Sequence, residues 1–284
     1  MIGISPKRTQ WIAFGLCWAA AIVAIAAMII IIAYVFIKGL GVIDWNFLSS
    51  DPKGGLGADS GGIRTSIAGT LWTVVLTLGM AAPVGIGAGI YMAEYARDNW
   101  FTAAIRWVIE TLAGIPSILF GLFGFALFVM ALSLRMSILA GSLTLACLVL
   151  PTIIRTTEEA VKAVPRSFRE ASYALGATKW QTIRHVVLAS AMPGIVTAVI
   201  LALGRIVGET ACLYVTMGGS GLNFPDSPFD PGRTLSLDVL YRLFEANDAR
   251  AAFGAGVMLI ITILIINGLT RWISNRWMAR MHGR

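Results

Sequence analysis

The chain has 284 residues, 57% of them hydrophobic and 13% charged, with a formal net charge of +7. A soluble domain carries about 25% charged residues, so this composition argues against a water-soluble enzyme, a disordered chain or a nucleic-acid binder. In a membrane protein a basic excess marks the loops of one side, so the positions of the charges matter more than their sum.

Lys7 and Arg8 precede an uncharged run over residues 9–37. That run is far longer than the roughly 7–15 residues of a signal-peptide core, so it reads as a retained first span. Further uncharged stretches lie at 65–93, 111–134, 136–154 and 251–270, and an apolar run from Pro193 to Met217 contains only Arg205 and Glu209 as charges. A span needs about 20 mostly apolar residues. The pattern therefore predicts an all-α, polytopic membrane protein, a single transmembrane domain over 1–284. Its six helices fall at about 11–37, 67–92, 108–132, 137–155, 192–217 and 252–274. Pro83 and Pro116 are expected to bend spans two and three, whereas Pro193 is tolerated in a first turn.

Lys and Arg outnumber those of the opposite side by about two to one in the connections that share a side with the termini, which predicts both termini in the cytoplasm. Gly85, Gly87 and Gly89 form a G-x-G-x-G string inside an apolar span. Gly85 and Gly89 have the small-xxx-small spacing of a contact between membrane helices, so the string does not read as a dinucleotide loop. No P-loop motif occurs, so the chain has no such means of binding ATP. Cys17, Cys147 and Cys212 all lie in apolar runs, and the only histidines are His185 and His282, which argues against a metal or His-based catalytic centre. In the long connection after span five, Pro225, Pro228 and Pro231 mark a loop. Leu237, Leu240 and Phe244 then recur at helical spacing, fitting either a membrane-surface helix or a short helix packed on its own bundle.

The connection between spans four and five, residues 155–190, is unusually rich in charge. Phe168, Ala171, Ser172 and Leu175 mark one small or apolar helical face, and Gly176 supplies the positive-φ position that commonly ends a helix. Trp180, Ile183 and Val187 mark a second apolar face. Two short helices at a glycine elbow form a knob, which fits a groove on another protein or the membrane interface equally well.

The string Arg169-Glu170-Ala171-Ser172-Tyr173-Ala174-Leu175-Gly176-Ala177 resembles the EAA loop of bacterial ABC-importer permeases, E-A-A, three residues, then G, with Ser172 in place of the second alanine. Three further segments are similar to the PstA-type phosphate permeases: Gly85 to Ala96, Ile153 to Glu158, and Arg205-Ile206-Val207-Gly208-Glu209-Thr210-Ala211, which matches R-x-x-G-E-T-A. Cys212-Leu213 stands where that family often has Pro-Leu. The resemblance runs from about Gly61 to the C-terminus. It implies a permease subunit in a bacterial inner membrane that forms half of a path for inorganic phosphate. It further implies a coupling loop over 167–189, with Glu170, Ala171, Leu175 and Gly176 at the contact with an ATPase. The implied partners are a homologous second permease (PstC-like), a dimer of cytoplasmic ATPase subunits (PstB-like) and an external phosphate-binding protein (PstS-like). The chain itself is then no enzyme and binds no cofactor; ATP is used by the partner. Alternatives are an importer permease for another oxyanion, or a stand-alone secondary transporter or channel.

Arg205 and Glu209, four residues apart, are expected on one face of span five. A central arginine costs about 2.5–3.5 kcal/mol on insertion scales, so the charge needs a use. Either the two form an ion pair that fixes packing, or Arg205 offers its planar fork to a passing oxyanion while Glu209 holds and partly neutralises it. Arg155, at the end of span four before Thr156 and Thr157, reads as a snorkelling arginine. The resemblance instead implies a place for it near the inner mouth of the anion path. No chemistry is attached to Glu94 or Glu110 at their span ends.

Overall fold

The computed structural model describes residues 6–52, 61–219 and 223–281. Lys53, His282 and Arg284, and the side chains of Arg8 and Arg280, lie outside the described residues.

Among the described residues the chain is helical, with only isolated β-bridges at Pro52–Gly61 and Gly218–Gly232. Helix α1 (Pro6–Gly39) is apolar around its whole circumference and meets the rest of the chain mainly at α12 (Ala249–Met281), where Tyr34 packs edge-on against Phe253. A one-turn helix α2 (Trp45–Ser49), capped by Asp44, leads towards α3 (Arg64–Glu94).

The third apolar segment, expected as one span over 108–132 with a bend at Pro116, is broken into two helices. It is α4 (Trp100–Ala113) followed by α5 (Ser117–Gly124), which continues through a π-helical stretch to Ala131, and the two are bent by 101°. The cause is local: Gly114 closes α4, and Pro116 holds an extended ψ of 137° and has no N–H to donate. Pro83, by contrast, lies within the continuous α3. Among the described residues five helices are thus long and apolar enough to cross a membrane, or six if the bent pair is one span.

Helix α6 (Ile138–Lys162) is the axis of the bundle. Of its most apolar stretch 61% is buried within the chain, against 33% for α3 and none for α1. It runs parallel to α3: Thr77 Oγ1 donates to Ser142 O, and further along Gly85 faces Ile153 while Gly89 faces Thr157. A Cβ on Gly89 would come within 2.6 Å of Thr157 Cβ, and one on Gly85 within 2.7 Å of Ile153 Cγ2, so both glycines are needed for the approach. The small-xxx-small reading of these residues is what the geometry realises.

The next helices are α7 (Arg166–Ala174) and α8 (Lys179–Thr182). The latter passes through a π-helical turn, Ile183–Val187, into α9 (Leu188–Gly208). Helix α9 returns antiparallel along α6, with Gly194 pressed on Ala160 near one end and Ser137 N donating to Thr216 O at the other.

The expected continuous span to residue 217 is interrupted. Glu209 is extended (φ −74°, ψ 132°), and a short α10 (Ala211–Thr216) restarts beyond it, wedged against Gly121 of α5 and Gly141 of α6.

Helix α11 (Leu235–Phe244) packs on its own bundle, burying Leu235, Leu237, Asp238 and Arg242 while Phe244 is exposed. Its buried face is therefore not the Leu237–Leu240–Phe244 stripe expected from spacing.

Candidate functional site

At one end of the bundle, α7 and α8 form the elbow anticipated at Gly176. Gly176 has φ +82°, its N–H donates to Tyr173 O, and Ala177 N donates to Ser172 O, the paired bonds of a Schellman ending. Thr178 and Gln181 then open α8 with reciprocal capping bonds. Ser172 Oγ and Thr182 Oγ1 meet at 2.9 Å and clasp the two arms.

The apolar residues of the knob divide in a way their spacing did not reveal. Ile183 and Val187 are buried in the chain's own core, but Trp180, grouped with them in the sequence, is 59% exposed. Ser172 points inward to Thr182, leaving Phe168 and Leu175 exposed, Leu175 at 89%. Glu170, Ala171 and Gly176 are exposed as well, so each of the four residues expected at the coupling contact is solvent-accessible.

Behind that surface the knob is bolted to the bundle. Arg169 donates from Nε and Nη2 to Glu94 Oε1 at 3.0 and 2.7 Å, and from Nη1 and Nη2 to the carbonyls of Val164 and Val161 at 2.7 and 3.0 Å. Its guanidinium therefore joins the last residue of α3 to the C-terminal end of α6, where the helix dipole favours a cation. Lys179 Nζ donates to the carbonyl of Glu94 and lies 4.5 Å over the ring of Tyr95. Glu94, to which the sequence reading attached no chemistry, is the meeting point.

A cleft of about 560 Å³ opens beside it, with Glu94, Asp98, Arg106, Lys162, Arg166 and Arg169 among its walls. Arg106 bonds Glu158 at 2.9 Å and Asp98 at 3.3 Å, and Lys162 reaches Glu158 at 2.7 Å.

Arg155 belongs to this same end. It bridges Glu110 of α4 and Glu159 of its own helix, each at 3.1 Å, so two carboxylates already hold its side chain.

Arg205 and Glu209 do not stand on one helical face. Because α9 ends at Gly208 and Glu209 is extended, the i, i+4 geometry is lost, and among the described residues no ion pair joins the two. From the Gly194–Ala160 contact, antiparallel helices rising about 1.5 Å per residue put Arg205 level with Val149, near the middle of α6. There Arg205 is half-buried and, among the described residues, has no hydrogen-bond or ion-pair partner. Glu209 is held through its backbone, its carbonyl accepting from Ser236 Oγ at 2.7 Å.

At the opposite end from the knob, Asp238 is fully buried between two arginines. Arg233 Nη1 bonds it at 3.1 Å and Arg242 Nε at 2.7 Å, and Arg242 also donates to the carbonyls of Gly61 and Gly62. Arg233 Nε reaches Gly219 O at 2.8 Å. Sequence reasoning missed this triad; the 238/242 spacing was visible, but its burial was not.

A broken, glycine-packed bundle with a protruding two-helix knob has counterparts among known proteins. The family described as binding-protein-dependent transport system inner membrane component matches residues 85–279. The chain belongs to this family. This inner membrane component is 37% identical over 275 residues to a protein of Bacillus subtilis (strain 168) named probable ABC transporter permease protein YqgI, covering 92% of each. It is 38% identical over 213 residues to the phosphate transport system permease protein PstA of Mycobacterium leprae (strain TN), covering 73% of this chain and 69% of that one. Its fold is similar to a chain of a bacterial alginate ABC transporter solved in complex with an alginate pentasaccharide-bound periplasmic protein, with TM-score 0.68, 13% identity and coverage of 95% and 96%. The inner membrane component is accordingly a multi-pass membrane protein and a transport subunit rather than an enzyme.

Proposed function

We propose that the chain is the membrane permease subunit of an ATP-driven importer and forms half of the path that carries inorganic phosphate into the cytoplasm. The observation that carries this reading is the knob: a rigid two-helix projection, anchored behind by Arg169 and presenting exposed Phe168, Leu175 and Trp180 in front. A secondary transporter or channel has no use for such a projection, whereas an importer driven by a separate ATPase needs a surface to dock it. Glu170, Ala171, Leu175 and Gly176 are the residues assigned to that contact.

Both termini and the knob then face the cytoplasm, as the Lys and Arg bias supports. The partners are a homologous second permease, a dimer of ATPase subunits that uses the ATP, and an external phosphate-binding protein. The Mycobacterium leprae relative supports phosphate as cargo, and so does Arg205, a half-buried fork of donors that has no acceptor among the described residues. Glu209, close by along the chain, weakens an anion's hold enough for release. Arg155 lies nearer the knob, and its two carboxylates make it a weaker anion site than Arg205.

The test is phosphate uptake by cells expressing Gly176→Asp. A non-glycine residue at φ +82° is strained, and the open space around the position puts the new charge on the docking face. Uptake is expected to vanish while the protein remains in the membrane; normal uptake would remove the coupling assignment.

A further inference from the structure

We propose that Glu94 is the transmission point of the transporter, the residue through which movement of the knob is passed to the membrane helices. The inference rests on the reading of the knob as the ATPase contact and adds to it a specific positioning residue.

Both arms of the knob end on this one residue: Arg169 of α7 on its carboxylate at 2.7 Å, and Lys179 of α8 on its carbonyl. The Ser172–Thr182 clasp keeps the arms from moving independently, so a force applied at Leu175 or Trp180 reaches Glu94 as one displacement. The joint is largely buried, with the Glu94 side chain 8% and that of Arg169 17% exposed. A pair so enclosed is screened little by salt, and removing one partner leaves an uncompensated charge. On its far side Glu94 ends α3, which is packed through Gly85 and Gly89 onto the parallel α6. Arg169 also grips the Val161 and Val164 carbonyls near the end of α6. A push on the joint therefore moves α3 and α6 as a pair. Among the described residues the other ion pairs at this end, Arg106–Glu158, Arg106–Asp98, Lys162–Glu158, Arg155–Glu110 and Arg155–Glu159, lie on α4, α6 and the turn before α4, and none includes a knob residue.

The experiment uses the whole transporter reconstituted in proteoliposomes, measuring ATPase co-purification, ATP hydrolysis and phosphate uptake separately. Glu94→Gln keeps the shape and one acceptor oxygen but removes the charge. The expected result is that the ATPase still co-purifies and hydrolyses ATP while phosphate moved per ATP falls about tenfold. Arg169→Ala is expected to behave likewise, and Arg169→Lys to recover part of the ratio, because it restores the charge without the fork. If Glu94→Gln leaves the uptake-to-hydrolysis ratio unchanged, or if it releases the ATPase, the transmission role is overturned. Wild-type chain that binds no ATPase would instead overturn the underlying reading of the knob, so the two failures are distinct. Arg169→Ala that does not accumulate in the membrane would mark that residue as structural, and the result from Glu94→Gln would then decide.

Discussion

Arg205 and Glu94 carry opposite lessons about charge in this chain. Among the described residues Arg205 is a cation without a hydrogen-bond or ion-pair partner beside the core of the bundle, whereas Glu94 is an anion enclosed by a guanidinium at one of its ends. A half-buried guanidinium is retained at a cost of about 2.5–3.5 kcal/mol on insertion scales, and the role proposed for Arg205 is to bind an anionic cargo that offsets this cost. Arg205→Ala is therefore expected to lower phosphate uptake at least tenfold without releasing the ATPase, measured by transport and by co-purification. Loss of assembly instead would assign Arg205 to packing. Neither role is legible from spacing alone. Arg205 and Glu209 read as neighbours on one helix because nothing in Arg-Ile-Val-Gly-Glu forbids continuation. Glu94 and Arg169 lie 75 residues apart, beyond any local pattern.

At the scale of elements, the long uncharged runs were sufficient to locate α1, α3, α6 and α12, since a membrane leaves helices few other places to be. The break at Pro116 could be foreseen from its chemistry, although not its angle of 101°. The Glu209 break could not, because it depends on Ser236 of α11 holding a carbonyl that a continuous helix would keep for itself. The contact of α3 with α6 gives a sharp prediction at this level. Gly89→Ala places a methyl 2.6 Å from Thr157 Cβ and 2.7 Å from the Ile154 carbonyl, while Gly87→Ala meets nothing within 4 Å. The first is expected to destabilise the protein by about 1–3 kcal/mol through overpacking. The second, which only removes backbone freedom, should be neutral or gain up to about 1 kcal/mol. Thermal unfolding of the two variants in detergent separates them, and equal midpoints would contradict the close packing of α3 on α6.

For the whole molecule, the two ends of the bundle differ in kind. One carries the ion-pair clusters around Glu94, Arg106 and Arg155 and the exposed knob; the other is sealed by the Arg233–Asp238–Arg242 triad, which ties α11 to the turns at Gly61 and Gly219. The wide, charged end suits a partner that pushes, and the bonded end suits loops that must keep their shape. Under the proposed orientation, which puts the knob and both termini in the cytoplasm, single cysteines at position 175 and near either terminus are expected to react with a membrane-impermeant thiol reagent only from the inner side. A cysteine at Phe229, on the opposite loop and 61% exposed, should react only from outside. Labelling of positions 175 and 229 from the same side would reverse or break the topology.

The burial of the helices also bears on how the protein is made. Helix α1, with mean hydropathy 3.0 in its most apolar stretch, has none of that stretch buried by the rest of the chain, whereas α6 has 1.9 and is the most enclosed. The helix most at ease in lipid is thus the one the fold uses least, and it precedes the others in the order of synthesis. It can settle in the bilayer on its own hydrophobicity and hold the nascent chain there. Helix α6, with Arg155, Glu158, Glu159 and Lys162 at one end, finds its neighbours only as α3 and then α9 come to lie beside it. Membrane insertion is therefore expected to begin with α1 at the periphery, with α6 fully enclosed only once α9 has joined α3 beside it.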